Sequence, residues 1–165
     1  MRLNPLMLSL MLSSLALPAW AAVDVTYTSP ETYSDVKVGA GPVKAQREMV
    51  LRELKKHLEK LGGETLPPDA ALRIEVLDIN LAGRDQPFNT DATDQRLLDE
   101  VNWPSVKLRY TLERNGRMVS QAEEVVSDQD YLDHSALGGR SDPLRYEKRM
   151  LSTWFRERFG KTTSD

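Results

Sequence analysis

The densest group of possible ligand side chains is the run Asp128-Gln-Asp-Tyr-Leu-Asp-His134, with three carboxylates and one imidazole. Loops rich in carboxylate oxygens bind calcium, and a histidine adds affinity for transition metals. An EF-hand loop needs glycine at position six and glutamate at position twelve, but counting from Asp128 these positions hold Asp133 and Gly139. Asp128, Asp130, Asp133 and His134 therefore stay candidate metal ligands, and we favour a solvated loop in which Asp128 or Asp130 caps a turn.

A second group of carboxylates lies between residues 78 and 100 and includes Asp78 and Asp85. Two carboxylates held at working distance could perform general acid–base catalysis, although spacing alone does not bring them together. Residues 83–104 form a long polar segment, and such loops often carry function. Asp78 and Asp85 are therefore candidate ligand-binding residues.

The residue types offer little for nucleophilic catalysis. The sequence has no cysteine, which excludes thiol catalysis, disulfides and Cys-ligated zinc. His57 falls on a predicted helix beside its apolar stripe, where we expect a boundary residue, and His134 has Ser135 and Ser141 nearby. The sequence contains no Gly-x-Ser-x-Gly elbow, no phosphate-binding P-loop and no His-Glu-x-x-His motif. We expect no cofactor.

Trp103 and Arg109 are the remaining ligand candidates. Trp103 precedes Pro104 at a predicted strand start, where we favour a residue that closes the edge of the core over one that stacks on a ligand. Tyr110 alternates with Arg109, so we expect Tyr110 in the core and Arg109 on the open face of a sheet. We favour a solvated sheet face there, with a ligand or partner surface as the alternative.

These residues must be positioned by four predicted strands, near residues 23–27, 72–81, 106–112 and 118–127. The alternation of apolar and polar residues in the second strand is interrupted at Leu77-Asp78, which predicts a bulge. Asn115-Gly116 predicts a two-residue hairpin turn. The expected pairs across that hairpin are Leu112 with Val119, Lys107 with Glu124, and Val106 with Val125.

Helical spacing predicts two amphipathic helices. The first begins at Val43 and ends at Gly62-Gly63. The second begins at Ser141-Asp142-Pro143, ends at Gly160, and carries an aromatic stripe that we expect to dock on the sheet. The order β-α-β-β-β-α predicts an α+β, two-layer sandwich. We expect a mainly antiparallel sheet of about four strands with both helices on one face.

Composition and charge narrow the class of protein. The chain has 165 residues, a net charge of -3 and 40% hydrophobic residues, which fits one globular domain. Because the balance is slightly acidic, we expect no nucleic-acid binding. Basic residues concentrate in the two helices, +3 over 43–61 and +4 over 143–161, against -8 over 62–142. The basic last helix could therefore contact an anionic surface peripherally.

The N-terminal segment has the pattern of a secretory signal. One basic residue, Arg2, precedes an apolar run from Leu6 to Leu17, and Ala19 and Ala21 have the spacing that signal peptidase needs. We expect cleavage after Ala21, a periplasmic location and no transmembrane segment in the mature protein. Residues 22–165 then form a single domain with its core at about 23–160.

Four runs together resemble the bacterial family DUF3016, a domain of unknown function. They are Asp78-Ile-Asn-Leu-Ala-Gly83; Asn102-Trp-Pro104 with Leu108-Arg-Tyr110; Ser127-Asp-Gln-Asp-Tyr131; and Leu144-Arg-Tyr-Glu-Lys148 with Trp154-Phe155. The resemblance covers about residues 23–160, and Asn80 stands where the family often has aspartate. It implies a small exported single-domain protein and supplies no catalytic residues.

Two hypotheses for function follow. The first is a non-catalytic periplasmic module that binds an envelope protein or a small ligand. The alternative is a small hydrolase or metal-dependent enzyme that uses the acidic 78–100 loop or the 128–134 run. The two differ in whether those carboxylates and His134 share one pocket.

Overall fold

The computed structural model describes residues 22–38, 41–84, 96–134 and 142–160. The secondary structure elements follow the predicted β-α-β-β-β-α order. Their bounds are β1 Ala22–Tyr27, α1 Val43–Thr65, β2 Ala70–Asn80, β3 Ser105–Arg114, β4 Arg117–Ser127 and α2 Arg145–Phe159. A single 3-10 turn, Pro30–Thr32, follows β1.

The four strands form one sheet in the order β1-β2-β3-β4. β1 pairs with β2 in parallel across the α1 crossover, and the other two pairs are antiparallel. Alternate residues of the central strands, such as Leu72, Ile74 and Leu108, are buried in the core that the helices cover. The predicted two-layer α+β architecture is confirmed.

The central strands behave as their alternation predicts. Register shifts between Val76 and Asp78, which confirms the bulge expected at Leu77-Asp78. Tyr110 is buried in the core at 4% exposure, while Arg109 lies exposed on the open face. The open face and the helix-covered face of β3 are therefore as expected.

The β3–β4 hairpin has the predicted turn but a different register. Asn115 and Gly116 both have positive φ, 50° and 72°, as a type I′ turn requires. Glu113 pairs with Met118 but Leu112 pairs with Ser120, so Val119 is an extra residue in a bulge. The expected Leu112–Val119 pair is wrong, and every later pair moves by one residue. Glu124 therefore lies opposite Leu108, on the face that the helices cover.

The first helix passes through the predicted stop at Gly62-Gly63 and ends at Thr65. Gly62 is buried against β1, and a Cβ built on it would lie 1.9 Å from Val23 Cγ2. The glycine is needed there for close approach of helix and strand, not for a left-handed backbone.

The second helix begins at Arg145, two residues after Pro143. The Asp142 carboxylate accepts a hydrogen bond from the Leu144 N–H at 2.9 Å, just before the helix, while Ser141 lies outside the described residues. Its aromatic stripe packs on the sheet as predicted: Tyr110 meets the rings of Trp154 and Phe159 edge to face, at 6.1 and 5.3 Å. Gly160 follows the last turn, as predicted, with φ -69°, a right-handed helical conformation.

Candidate functional site

A groove of about 430 Å³ lies between the edge strand β4 and helix α2. We call it the β4–α2 groove. The buried side chains of Val126, Met150 and Trp154 are among its apolar lining, and Thr153 is half-buried in it. Its charged or titratable lining residues come from both walls and from the segment that follows β4: Glu124, Asp128, His134, Arg149, Glu157 and Arg158. An apolar lining with a few convergent polar groups is the usual composition of a binding site.

One end of the groove is closed by a cluster of three charged or titratable side chains. The guanidinium of Arg149 donates a hydrogen bond from Nη2 to Asp128 Oδ2, and Nη2 also contacts His134 Nδ1. His134 Nδ1 lies 3.3 Å from Asp128 Oδ1. The Nε of Arg149 is buried with no hydrogen-bond partner. Two predicted metal ligands thus meet, but around an arginine, whose positive charge opposes a metal ion.

The other end is built on Glu124, which the bulge at Val119 turns toward the helix. Glu124 Oε2 accepts a hydrogen bond from Trp154 Nε1 at 2.9 Å, and Glu124 Oε1 lies 2.9 Å from Arg158 Nη2. This carboxylate therefore ties the edge strand to α2. A hairpin without the bulge would place Glu124 opposite Lys107, as predicted from the sequence, so the sequence pattern did not indicate this role.

The other two candidate metal ligands lie away from the groove lining. Asp130 and Asp133 are exposed, and the Asp130 carbonyl accepts the Asp133 N–H at 3.0 Å in a turn. Across the described ranges, no group of three or more His, Asp or Glu residues could hold a metal ion. The metal hypothesis stays a prediction, without a ligand set in this part of the chain.

Tyr131 is the buried residue that holds the 128–134 run against the rest of the fold. It is fully buried, and its ring meets Tyr146 edge to face at 5.0 Å. Its hydroxyl donates to the Asp99 carbonyl at 2.8 Å and accepts the Asp99 N–H at 3.0 Å. Burial raises the pKa of this phenol. The run is therefore anchored by its aromatic residue, while Asp130 and Asp133 face solvent.

Arg96 joins three segments of the chain, although it is not among the predicted site residues. Its side chain is 8% exposed. Nη2 donates to Asp35 Oδ2 at 2.5 Å and to the Gly83 carbonyl at 2.7 Å, and Nη1 donates to the Lys37 carbonyl at 2.6 Å. Nε donates to the Ala82 carbonyl at 2.8 Å. This guanidinium donates its hydrogen bonds mainly to main-chain carbonyl groups, so its role is structural.

Glu147 is a second buried charged residue that the sequence did not reveal. Its side chain lies on α2 at 1% exposure, and Oε1 accepts the Ala82 N–H at 2.7 Å. Oε2 is buried without a hydrogen-bond partner. Burial raises the pKa of this carboxyl, against the opposing hydrogen bond from Ala82.

A serine and a histidine meet between the helices, although neither is an activated nucleophile. His57 Nε2 lies 2.8 Å from both the Lys148 carbonyl and Ser152 Oγ. Ser152 Oγ donates to the same carbonyl at 2.7 Å. Because a carbonyl can only accept, His57 presents Nε2–H and has no lone pair there to take the serine proton. Burial lowers the pKa of His57, which favours the neutral imidazole.

The open face of the sheet is covered by ion pairs between its own strands. Arg109 lies 2.8 Å from Glu75 and 2.9 Å from Glu123, and Lys107 lies 2.9 Å from Glu123. The hydrogen bonds from Lys107 and Arg109 lower the pKa of Glu123. A ligand at Arg109 would have to replace these partners.

Asp78 and Trp103, two of the remaining ligand candidates, lie apart from the groove lining. Both oxygens of Asp78 accept hydrogen bonds from Ser34, at 2.7 and 2.6 Å, so this carboxylate fixes the loop after β1. Trp103 is half-buried, and its carbonyl accepts Asn80 Nδ2 at 3.1 Å. Asp85 lies outside the described residues. The ligand roles of all three stay predictions.

The basic side chains of α2 are largely paired. Lys148 lies 2.9 Å from Asp142, Arg149 binds Asp128 and Arg158 binds Glu124. Contact of this helix with an anionic surface stays a prediction. Among the described helices, none is long and apolar enough to span a membrane.

Comparison with known proteins places the chain in a family. The chain belongs to the family described as protein of unknown function, DUF3016, which matches residues 21–157. The resemblance seen in the four sequence runs is thereby confirmed. No curated protein matches the sequence.

Among solved structures, the chain is similar to protein XCC0632 from Xanthomonas campestris, described as family DUF330. The two share 14% identity over 86% of this chain and 85% of that one, with a TM-score of 0.29. A likeness this distant carries no argument about function.

Proposed function

We propose that the protein is exported to the periplasm and acts there as a non-catalytic binding module whose site is the β4–α2 groove. The observation that carries the proposal is the groove itself, which combines apolar side chains with charged groups from two walls. Residues 1–21 support export through their basic, apolar and small-residue pattern.

The ion pairs at the two ends favour binding over catalysis. Asp128 is engaged by Arg149, and Glu124 by Trp154 and Arg158. A general acid or base must exchange protons during a reaction, whereas carboxylates held by guanidinium and indole donors are fixed as acceptors. The same groups join the two walls at its ends and leave Thr153 and the apolar lining between them for a ligand.

Export is tested by expressing the full chain in a bacterium with two membranes and measuring the intact mass of the protein in each fraction. We expect a chain that begins at Ala22 in the periplasmic fraction. Replacing Ala19 and Ala21 with aspartate should leave the uncleaved precursor, because signal peptidase needs small side chains there. Uncleaved wild-type protein confined to the cytoplasm would contradict export.

Binding is tested by selecting peptides from a displayed random library on the mature protein. Thr153→Trp fills the groove, and Thr26→Trp places the same side chain on the open face of the opposite edge strand. We expect the selected peptides to bind wild type and Thr26→Trp but not Thr153→Trp. Equal binding to all three proteins, or no selected peptide, would count against the groove.

A further inference from the structure

We infer that Asn115, in the turn of the β3–β4 hairpin, is a site of spontaneous deamidation and that Asp69 controls the rate of the reaction. Of the asparagines in the chain, Asn115 alone is followed by glycine. That glycine matters because it carries no Cβ that would obstruct its own backbone nitrogen. The modification goes beyond the proposed binding role and does not depend on it.

The reaction is an internal cyclisation. The backbone nitrogen of Gly116 loses its proton and attacks Cγ of the Asn115 side chain, so that a new C–N bond forms. The bond from Cγ to Nδ2 then breaks, and Nδ2 takes up a proton and leaves as ammonia. Water opens the resulting succinimide ring at either carbonyl group, which gives aspartate or, with the backbone rerouted through Cγ, isoaspartate.

The turn leaves the reacting groups accessible. Asn115 and Gly116 are both exposed, and a Cβ built on Gly116 would find no atom within 4 Å. In a two-residue hairpin turn, the N–H of the second residue lies outside the ladder of strand hydrogen bonds. Because both residues adopt positive φ, the turn favours asparagine followed by glycine. The dipeptide that the turn prefers is therefore also the one that cyclises.

Asp69, which lies just before β2, holds the asparagine side chain away from the attacking nitrogen. Its main-chain carbonyl accepts the Asn115 N–H at 3.0 Å, and its Oδ2 accepts a hydrogen bond from Asn115 Nδ2 at 2.9 Å. Because both donors bind one residue, the side chain is turned back toward its own backbone nitrogen, whereas cyclisation needs Cγ beside the next one. Arg114 Nε donates to the same Oδ2 at 3.0 Å and so orients the carboxylate.

The products would disturb the hairpin whose register places Glu124 on the helix side. Isoaspartate adds a carbon atom to the backbone of a two-residue turn, whose length selects its geometry. Either product also sets a second carboxylate beside that of Asp69, and like charges repel. We expect the isoaspartyl form, separated by ion exchange, to melt below the unmodified protein. An equal melting temperature would overturn this effect on the hairpin.

The site is tested by peptide mapping with mass spectrometry while the mature protein is kept at mildly alkaline pH. The reference is a synthetic peptide of residues 113–118, which has no fold to restrain it. We expect wild type to lose ammonia about tenfold or more slowly than this peptide, because a hydrogen bond to a charged group must first break. Wild type as fast as the peptide would overturn the control by Asp69.

Three variants separate Asp69 from the general stability of the hairpin. Asp69→Ala should raise the rate at Asn115 by about tenfold, while Asp69→Asn, which keeps an acceptor oxygen, should react more slowly than Asp69→Ala. Glu113→Ala removes an ion pair with Arg73 at 2.7 Å from the same hairpin and leaves the bonds of Asn115 intact, so it should match wild type. Equal rates for Asp69→Ala and Glu113→Ala would overturn the role of Asp69. An unreacted Asn115 in Asp69→Ala, once the peptide is consumed, would overturn the site itself.

Discussion

Glu124 of the edge strand accepts the indole N–H of Trp154 in α2 at 2.9 Å, and this bond joins the two walls of the β4–α2 groove. Trp154 is 8% exposed, so its N–H has little access to water. Glu124 faces the helix only because the bulge at Val119 shifts the hairpin register by one residue. A local irregularity in a hairpin therefore determines the chemistry of the groove.

Replacing Glu124 with alanine should destabilise the fold by about 1–3 kcal/mol, because the buried indole N–H loses its acceptor. Glu123→Ala is the matched control on the other face of the strand, where solvent screens the exposed ion pairs and the loss of stability should be smaller. Urea unfolding followed by tryptophan fluorescence gives both values. Equal destabilisation by the two variants would contradict the role of Glu124.

Gly62→Ala should destabilise the protein by about 1–3 kcal/mol, because its Cβ would overlap Val23. Gly63→Ala is a control one residue away, where no atom lies within 4 Å of the added Cβ. In a helix that change should stabilise by up to about 1 kcal/mol. The melting temperatures of the two variants should shift in opposite directions. A rise in both would show that helix propensity alone governs this turn.

Arg96→Ala should be among the most damaging single substitutions, with a loss of about 3–5 kcal/mol, because it leaves the partly buried Asp35 carboxylate and several carbonyl groups without their donor. Arg84→Ala is the control, since Arg84 is 63% exposed and pairs loosely with Asp99 at 3.6 Å. Arg84→Ala should lower the free energy of unfolding by no more than about 1 kcal/mol. A mild effect of Arg96→Ala in denaturant unfolding would show that water replaces the guanidinium.

Glu147→Gln should stabilise the protein at neutral pH and flatten its pH dependence. Burial raises the pKa of Glu147 in the fold above its usual 4.5, so the folded state holds the proton more tightly than the unfolded state. The stability from this group is fully present below pH 4.5 and is lost as pH rises through the raised pKa. The melting temperature of wild type should therefore fall relative to Glu147→Gln as pH increases from 4.5. A constant difference between the two proteins would contradict a raised pKa.

The strands could be predicted because their residues alternate strictly. Tyr110 and Arg109 face opposite sides of β3 as expected, and the Asn115-Gly116 turn forms as expected. The hairpin register could not be predicted, because pairing without a bulge also matched apolar with apolar and charged with charged residues. Gly62 reads as a helix stop in sequence, since only the packed position of Val23 shows that the glycine serves close approach.

The candidate site was predictable only in part. The run that holds Asp128 and His134 stood out by composition, but Arg149 joins them from a helix 15 residues after His134. Arg96 and Glu147 carry no sequence signal, since arginine and glutamate are usually exposed and their burial depends on carbonyl and amide groups distant in the chain. Spacing predicts neighbours within one element, whereas these contacts join different elements.

The β4–α2 groove is tested most directly by amide chemical-shift mapping of the isotope-labelled mature protein with a peptide selected from the library. We expect shifts confined to β4, residues 117–127, and to the facing part of α2, residues 149–158, with loss of these shifts in Thr153→Trp. Shifts centred instead on Arg109 and the open sheet face, unchanged by Thr153→Trp, would contradict the assignment of the β4–α2 groove as the binding site.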